Sequence, residues 1–271
     1  MEEELKKVSI IMGIYNCEKT LGRAIDSIIN QDYSKWELIM CDDASKDNTY
    51  SVAQKYRDKY PDKIILLKNQ ENLKLAATLN KCLSKVTGEY VARMDSDDIV
   101  LSDRFCKQVK FLDENLDYSV VGGGAILYDE NGEKGIRIPK EFPEKEDLVF
   151  GVPHMHPTIM MRKETYEILE GYRVCEFTER GQDQDMWFRF YAEGFKGYNL
   201  QSPVIKYHES LNDYKKRNLK QARLSVKRMY YGYKLLGIPK YKYIYIFKPI
   251  ISVSIPNKIM YFYHKRKAKV W

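Results

Sequence analysis

The sequence predicts an α/β protein built on a mostly parallel sheet flanked by helices. Three observations carry this expectation. Four apolar runs, at 8–12, 36–41, 64–68 and 90–94, have strand length and no helical periodicity. The segments between them place apolar residues three and four apart, which is helical spacing. Strands that alternate with helices form βαβ units, and these pair their strands in parallel.

The elements follow in order. Val8-Ser9-Ile10-Ile11-Met12 reads as a buried first strand, running into Gly13-Ile14-Tyr15-Asn16. Leu21, Ala24, Ile25, Ile28 and Ile29 mark an amphipathic helix from about Glu18 to Gln31. Trp36 to Cys41 is a second strand, and Asp47 and Thr49 offer caps for a helix through Tyr56. Ile64 to Lys68 makes a third strand, Leu73 to Val86 a third helix and Tyr90 to Met94 a fourth strand. Ser102 can cap a helix carrying Phe105, Val109, Phe111 and Leu112. Val120 to Gly124 reads as a strand ending in glycines, and the runs around Asn131-Gly132 as a hairpin. Pro139 to Pro157 is loop-rich, and Thr158 to Arg162 has the pattern of a returning strand. Gly181 to Asp185 leads into a helix with Met186, Trp187, Phe190 and Tyr191 on one face. Val204 to Tyr207 is a last strand before His208, Leu211 to Leu236 a long basic helix and Pro239 to Trp271 a broken aromatic-basic tail.

The 271 residues suffice for a large core, and 44% hydrophobic with 31% charged residues is ordinary for a globular protein. The net charge of +7 conceals an asymmetry. From Tyr214 to Trp271 there are sixteen Lys or Arg and no Asp or Glu, leaving 29 bases against 38 acids before it. An acidic body with a strongly basic tail points to an anionic surface as partner. The five cysteines contain no C-x-x-C pair, which disfavours a disulfide scaffold or zinc site and suits a reducing cytosol. Met1-Glu2-Glu3-Glu4 is unlike the basic start of a signal peptide. The most apolar stretch, Ile244 to Tyr263, is interrupted by Lys248, Pro249, Pro256 and Lys258, so no membrane span is expected.

In open parallel sheets ligands bind beyond the carboxyl ends of the strands. Here the second run ends in Asp42-Asp43 and the fourth in Asp95-Ser96-Asp97-Asp98. Three carboxylates within four residues repel one another unless a cation neutralises them. A hard divalent ion, held by one or two carboxylates and substrate phosphates, fits that need; a solvated acidic turn is the alternative. No G-x-G-x-x-G follows the first strand and no G-x-x-x-x-G-K-[ST] occurs, which argues against a dinucleotide-binding dehydrogenase and a P-loop enzyme.

Several ordered motifs then converge. They are Val8 to Met12 followed by Tyr15-Asn16, Glu37 to Ser45 with Asp47 and Thr49, Gly88-Glu89-Tyr90 with Asp95-Ser96-Asp97-Asp98, His156-Pro157-Thr158, and Gln182-Asp183-Gln184-Asp185-Met186-Trp187. Over about Val8 to His208 the chain resembles the family 2 glycosyltransferases, inverting enzymes of the GT-A fold that use nucleotide-sugar donors. The resemblance implies a Rossmann-like GT-A sheet over residues 1–210, with a donor half at 1–98 and an acceptor and catalytic half at 99–210. Residues 211–271 would form a basic helical extension.

The resemblance also implies roles. Tyr15 would stack on the donor base and Asp43 would accept from its ring N–H. Asp95 and Asp97 match the D-x-D that holds Mn²⁺ or Mg²⁺ against the diphosphate, with Asp97 the direct ligand and Asp98 a turn cap. Asp183 would be the base that accepts the acceptor hydroxyl's proton, with Asp185 second. His208 could bind metal or phosphate, and His156 could line the acceptor pocket. The chain departs from the family at Gly13, where a Pro is common, at Lys74, where a Gly is frequent, and at Gln182, which replaces a Glu. Lys74 would add charge at the diphosphate if it faces it.

The expected donor is a nucleotide sugar, a UDP-sugar by preference, and the acceptor a lipid-linked or growing glycan of a bacterial surface polysaccharide. Tyrosines interleaved with Lys and Arg in the tail suit peripheral contact with an anionic membrane on its cytoplasmic face. Nucleic acid is disfavoured by the acidic body and the absence of a binding motif. Rival readings are a nucleotidyltransferase on a similar sheet, or a non-catalytic nucleic-acid- or sugar-binding protein. The first would need a Gly-rich, Arg-containing loop that 13–18 does not supply.

Overall fold

The sheet is laid out around β1 (Val8–Ile14), which pairs in parallel with β2 (Trp36–Asp42) on one side and β4 (Tyr90–Arg93) on the other. In this computed structural model, which describes residues 5–209 and 218–256, β3 (Ile64–Lys68) extends the parallel array beyond β2. β1 and β2 are apolar along nearly their whole length because both faces of the sheet are covered. Ile11, Ile39 and Cys41 enter one core layer, while Ile10, Met12, Leu38 and Met40 enter the other. That alternation is the period-two geometry of a strand.

Helices α1 (Leu21–Ile29), α2 (Thr49–Lys59) and α3 (Lys74–Leu83) connect these strands. Leu21, Ala24, Ile25 and Ile28 are the buried stripe of α1, as their spacing requires. The second half adds β5 (Ile99–Val100), α4 (Arg104–Glu114), β6 (Val120–Asp129) and β7 (Gly132–Arg137). It continues through β8 (Met160–Arg162), α5 (Lys163–Ile168), α6 (Gln182–Ala192) and β9 (Gly197–His208). Sheet order is β3-β2-β1-β4-β8-β6-β9-β5, with β7 also on β6. β1–β4, β6 and β9 point one way; β5, β7 and β8 run against them. The sheet is therefore mostly parallel, and β8 is the reversed strand that joins its halves.

The glycines in β6 do not end the strand. A Cβ on Gly122 would lie 2.4 Å from Asn199 Oδ1, and one on Gly124 2.2 Å from Ile138 Cδ1. Their role is close approach of neighbouring chain, and β6 continues five residues past them to Asp129. β9 likewise starts at Gly197, well before Val204, since its polar first half pairs with β6 through irregular register.

The basic helix α7 (Leu219–Leu235) packs against the body. Its Met229 and Tyr233, with Leu236, Ile238 and Ile246 beyond it, share a core with Trp187, Phe188 and Phe190 of α6. A 3₁₀ segment at Lys240–Phe247 and a short helix at Lys248–Val253 follow. The expected helix start at Leu211 and the tail beyond residue 256, including Tyr261 and Tyr263, lie outside the described residues. No helix among the described residues is long and apolar enough to cross a membrane. All five cysteines are free.

Candidate active site

β1 and β2 release their chains at Tyr15 and Asp43, and β4 releases its chain at Met94, just before Asp95, all at one edge of the sheet. Two cavities open there. The first, about 270 Å³, is lined by Gly13, Tyr15, Asp43, Asn72, Lys74 and Thr78 among others. The second, about 440 Å³, includes Tyr15, Lys19, Asp47, Ser96, Asp97 and His208. Tyr15, 44% exposed, belongs to both and forms the wall between them.

Asp43 is buried and held from three sides. Its Oδ1 accepts from Asn69 Nδ2 and the Leu73 backbone N–H, both at 2.8 Å, and its Oδ2 accepts from the Lys74 N–H at 3.0 Å. The carboxylate thus satisfies orphan donors at the start of α3, where the helix dipole favours negative charge. Asp42 is the last residue of β2, and its Oδ2 accepts from the Ser45 N–H. Lys74 is exposed on the cavity rim with φ +70, in the left-handed region. The glycine frequent at this position in the family therefore answers a backbone requirement. Asn16 (φ 48) and Ala44 (φ 58), in the loops after β1 and β2, also have positive φ. Asp47 ties the two loops together, accepting from both the Glu18 and Thr49 N–H groups.

The three carboxylates after β4 differ in surroundings. Asp95 Oδ1 receives Arg93 Nη2 at 2.5 Å. Asp97 is the open one, 47% exposed, with Oδ2 3.9 Å from His208 Nδ1, and its backbone oxygen accepts from Tyr128 OH at 2.7 Å. Asp98 is buried and latches the end of β9 by accepting from the His208 N–H at 3.0 Å. Burial and the charges of Asp95 and Asp97 push its pKa well up. Asp98 is thus a strand-to-loop clasp in place of a cap on its own turn.

His208 ends β9 facing Asp97 on one side and Glu130, at 3.7 Å, on the other. Among the described residues no preassembled group of three metal-ligating side chains exists. Asp97 and His208 share the larger cavity, with Asp95 next along the chain. One carboxylate and one imidazole, leaving other positions for diphosphate oxygens and water, fit a hard divalent ion bound jointly with its substrate.

Asp183 and Asp185 are separated by the helix that bears them. Asp185 is buried with Oδ1 3.0 Å from Arg173 Nη1 and Oδ2 3.0 Å from Arg189 Nε. Both oxygens are consumed in ion pairs, which removes Asp185 as a second base and makes it a fastener of α6. Asp183 is partly exposed and accepts from the Gln184 N–H at 2.8 Å. The surrounding protein desolvates it and raises its pKa, opposed by the Gln184 N–H and the charges of Arg228 and Arg93. A base with a raised pKa is better matched to neutral operation than an exposed Asp.

His156 is buried, its Nε2 2.7 Å from Tyr172 OH, and packs edge-on to Trp187. Burial, Arg93 and His154 hold its pKa well down, so it is a neutral packing residue. Two arginines escaped the sequence reading. Arg93 sits inside an apolar strand, a visible signal, whereas Arg228 is hidden among the sixteen bases of the tail.

Comparisons with known proteins give the family and the fold. The description Glycosyl transferase family 2 matches residues 9–170. EpsE of Bacillus subtilis (strain 168), a provisionally named glycosyltransferase, is 46% identical over 262 residues, covering 97% of this chain and 94% of its own. The O-antigen biosynthesis glycosyltransferase WbnJ of Escherichia coli is 31% identical over 75% of this chain and 80% of its own. Among solved structures, the mannosyltransferase PcManGT of Pyrobaculum calidifontis, in complex with GDP-Man and Mn²⁺, aligns with a TM-score of 0.65 at 19% identity, over 94% of this chain and 72% of its own. Staphylococcus aureus TarS 1–349 with UDP gives 0.64 at 20%, over 85% and 69%. These likenesses establish a GT-A fold, and the chain belongs to glycosyltransferase family 2.

Proposed function

We propose that the protein is an inverting, metal-dependent glycosyltransferase that moves one sugar from a UDP-sugar to a hydroxyl of a lipid-linked or growing surface glycan. The observation that carries this reading is Tyr15 standing between two cavities of complementary chemistry. On one side Asp43 offers an acceptor in a site sized for a base, and on the other Asp97 and His208 offer metal ligands. Named donors of relatives point the same way. A relative 37% identical over 44% of this chain is the UDP-Glc:alpha-D-GlcNAc-diphosphoundecaprenol beta-1,3-glucosyltransferase WfgD of Escherichia coli.

In this mechanism residues 1–98 bind the donor, with Tyr15 against the base and Asp43 at its ring N–H. Residues 99–210 carry the acceptor side. Asp97 and His208, with Asp95, would hold Mn²⁺ or Mg²⁺, whose charge stabilises the departing diphosphate. Asp183 takes the proton of the acceptor hydroxyl as that oxygen bonds to the anomeric carbon. The anomeric carbon–oxygen bond breaks on the opposite face, its electrons leave with the nucleoside diphosphate, and the configuration inverts.

The tail supports work at a cytoplasmic membrane face. Tyr241, Ile244, Phe247 and Ile251 are exposed beside Lys240, Lys242 and Lys248, and Phe150 of the acceptor-side loop stacks edge-on with Tyr245. Each base near anionic lipid contributes about 1 kcal/mol. Because α7 shares the body's core, this surface is tested by Tyr241→Ser/Ile244→Ser in the full chain, not by truncation. Loss of cosedimentation with phosphatidylglycerol vesicles supports the surface, and unchanged binding removes it.

The function is tested by thermal shift against UDP-glucose, UDP-N-acetylglucosamine, UDP-galactose and GDP-mannose with and without Mn²⁺. A metal-dependent shift that Asp97→Ala abolishes is expected. A shift that survives Asp97→Ala overturns the metal-bridged donor site.

A further inference from the structure

Helix α7 carries five cations, and four of them, Lys220, Arg223, Lys227 and Lys234, are exposed. The fifth, Arg228, is 6% exposed and points into the body. Burying a guanidinium is costly unless its donors are matched. Arg228 meets that condition. Its Nη1 donates to the backbone oxygens of Phe177 and Arg180, both at 2.7 Å. Its Nε donates to Gln184 Oε1 at 2.9 Å and its Nη2 to Ser225 Oγ at 3.2 Å. The partners outside α7 therefore bracket Asp183, two before it and one after.

The surrounding residues are shaped for this insertion. A Cβ on Gly181, whose φ is +98, would fall 2.4 Å from the guanidinium carbon of Arg228. One on Gly232 would fall 2.2 Å from the ring of Phe188, so α7 lies directly on α6. Tyr231 stacks on Phe177 with ring centroids 5.8 Å apart, closing the other end of the same turn.

We infer that Arg228 is a positioning residue for the catalytic base: the C-terminal helix inserts one guanidinium that fixes the turn presenting Asp183 and sets a cation beside it. The inference rests on reading Asp183 as the base. It makes the basic extension part of the catalytic machinery, as well as a surface for an anionic partner. Among the described residues, the charged and titratable groups that face Asp183 are Arg228 from α7, Arg93 from β4 and Tyr172. Of these, Arg228 alone also holds the backbone before it and the Gln184 side chain after it. A lysine at 228 has one nitrogen where arginine places three in a plane, so it cannot hold the two carbonyls, Gln184 and Ser225 together.

Two measurements on the full chain test this. The first is Asp183's own titration, followed by carboxyl-¹³C NMR with Asp183→Asn to assign the signal. Arg228→Gln should raise its midpoint by about one pH unit, as loss of a nearby cation does. The second is release of nucleoside diphosphate from UDP-glucose, UDP-N-acetylglucosamine and GDP-mannose with Mn²⁺, alongside thermal melts. Arg228→Lys should stay folded and lose at least tenfold in kcat with donor KM unchanged. Gly181→Ala, which displaces the guanidinium and keeps its charge, should show the same split. A wild-type kcat in Arg228→Lys, a loss that only follows the unfolded fraction, or an unmoved Asp183 midpoint overturns the inference. If the wild type turns over no donor, the reading of Asp183 as base fails separately, and the NMR midpoint still decides whether Arg228 acts on it.

Discussion

Arg93 Nη2 donates to Asp95 Oδ1 at 2.5 Å, joining a fully buried cation to the first carboxylate of the D-x-D. Its Nε and Nη1 are buried with no partner among the described residues. Asp95 therefore neutralises the strand interior before it serves any donor. Removing one member of a buried pair leaves an uncompensated charge, at about 3–5 kcal/mol. Asp95 is 34% exposed, so solvent screens part of that. Asp95→Ala should cost about 2 kcal/mol in urea denaturation. Asp97→Ala should leave stability within error and remove metal-dependent donor binding. Equal stability loss in both variants would refute the division between them.

Lys74 is held at φ +70, where a side chain with a Cβ is strained by roughly 1–2 kcal/mol. Glycine relieves the strain, and part of the gain is offset by its greater freedom when unfolded. Lys74→Gly should stabilise the protein by about 1 kcal/mol. Its effect on donor KM separates the remaining role: a severalfold rise marks Lys74 as a diphosphate contact, and no change confines it to the backbone. A drop in Tm would contradict the strain argument.

Much of this site could be read before any coordinates, and the reasons are local. Asp43 and Asp97 stand at the ends of apolar runs, and a parallel sheet gathers such ends at one edge. What could not be read depended on direction. Asp183 and Asp185 look interchangeable in sequence, but residues two apart on a helix point about 200° from each other. One accepts from the Gln184 N–H near Arg228 and the other meets Arg173 and Arg189. Arg228 carries no local mark either, because only the packing of α7 turns it inward while the other four cations of the helix face water. The glycines of β6 looked like a strand end, since close approach by Asn199 and Ile138 is a tertiary fact.

His154 should govern an acid transition. It is fully enclosed between Asn199 and Tyr191, and burial lowers its pKa to about 4. In the unfolded chain it titrates near 6.5. A depressed folded pKa contributes stability that is present above the unfolded value and lost as pH falls toward the folded one. The window is therefore pH 6.5 down to about 4, with a loss of roughly 3 kcal/mol over it. His156, held down by burial beside Arg93, adds in the same direction. Urea midpoints measured across this range should fall steeply in the wild type and less steeply in His154→Gln. Parallel curves would assign the acid loss elsewhere.

Asp183 obeys the opposite sign. Its folded pKa is raised, so its ionised form is less comfortable in the protein than in water. Stability from the protonated form is fully present below the unfolded value near 3.9 and is lost as pH rises through the folded value. At pH 7 the ionised carboxylate is a net cost that the native protein carries. Asp183→Asn keeps an oxygen for the Gln184 N–H and removes that cost. The variant should melt higher than the wild type at pH 7, with the difference closing toward pH 4. Transfer should fall by at least a hundredfold, as general-base loss does. The acid limb of wild-type kcat/KM should lie above 3.9 and disappear with the residual activity of the variant. An Asp183→Asn protein that is less stable at pH 7, or that still transfers sugar at the wild-type rate, would show that the carboxylate is a structural part of α6.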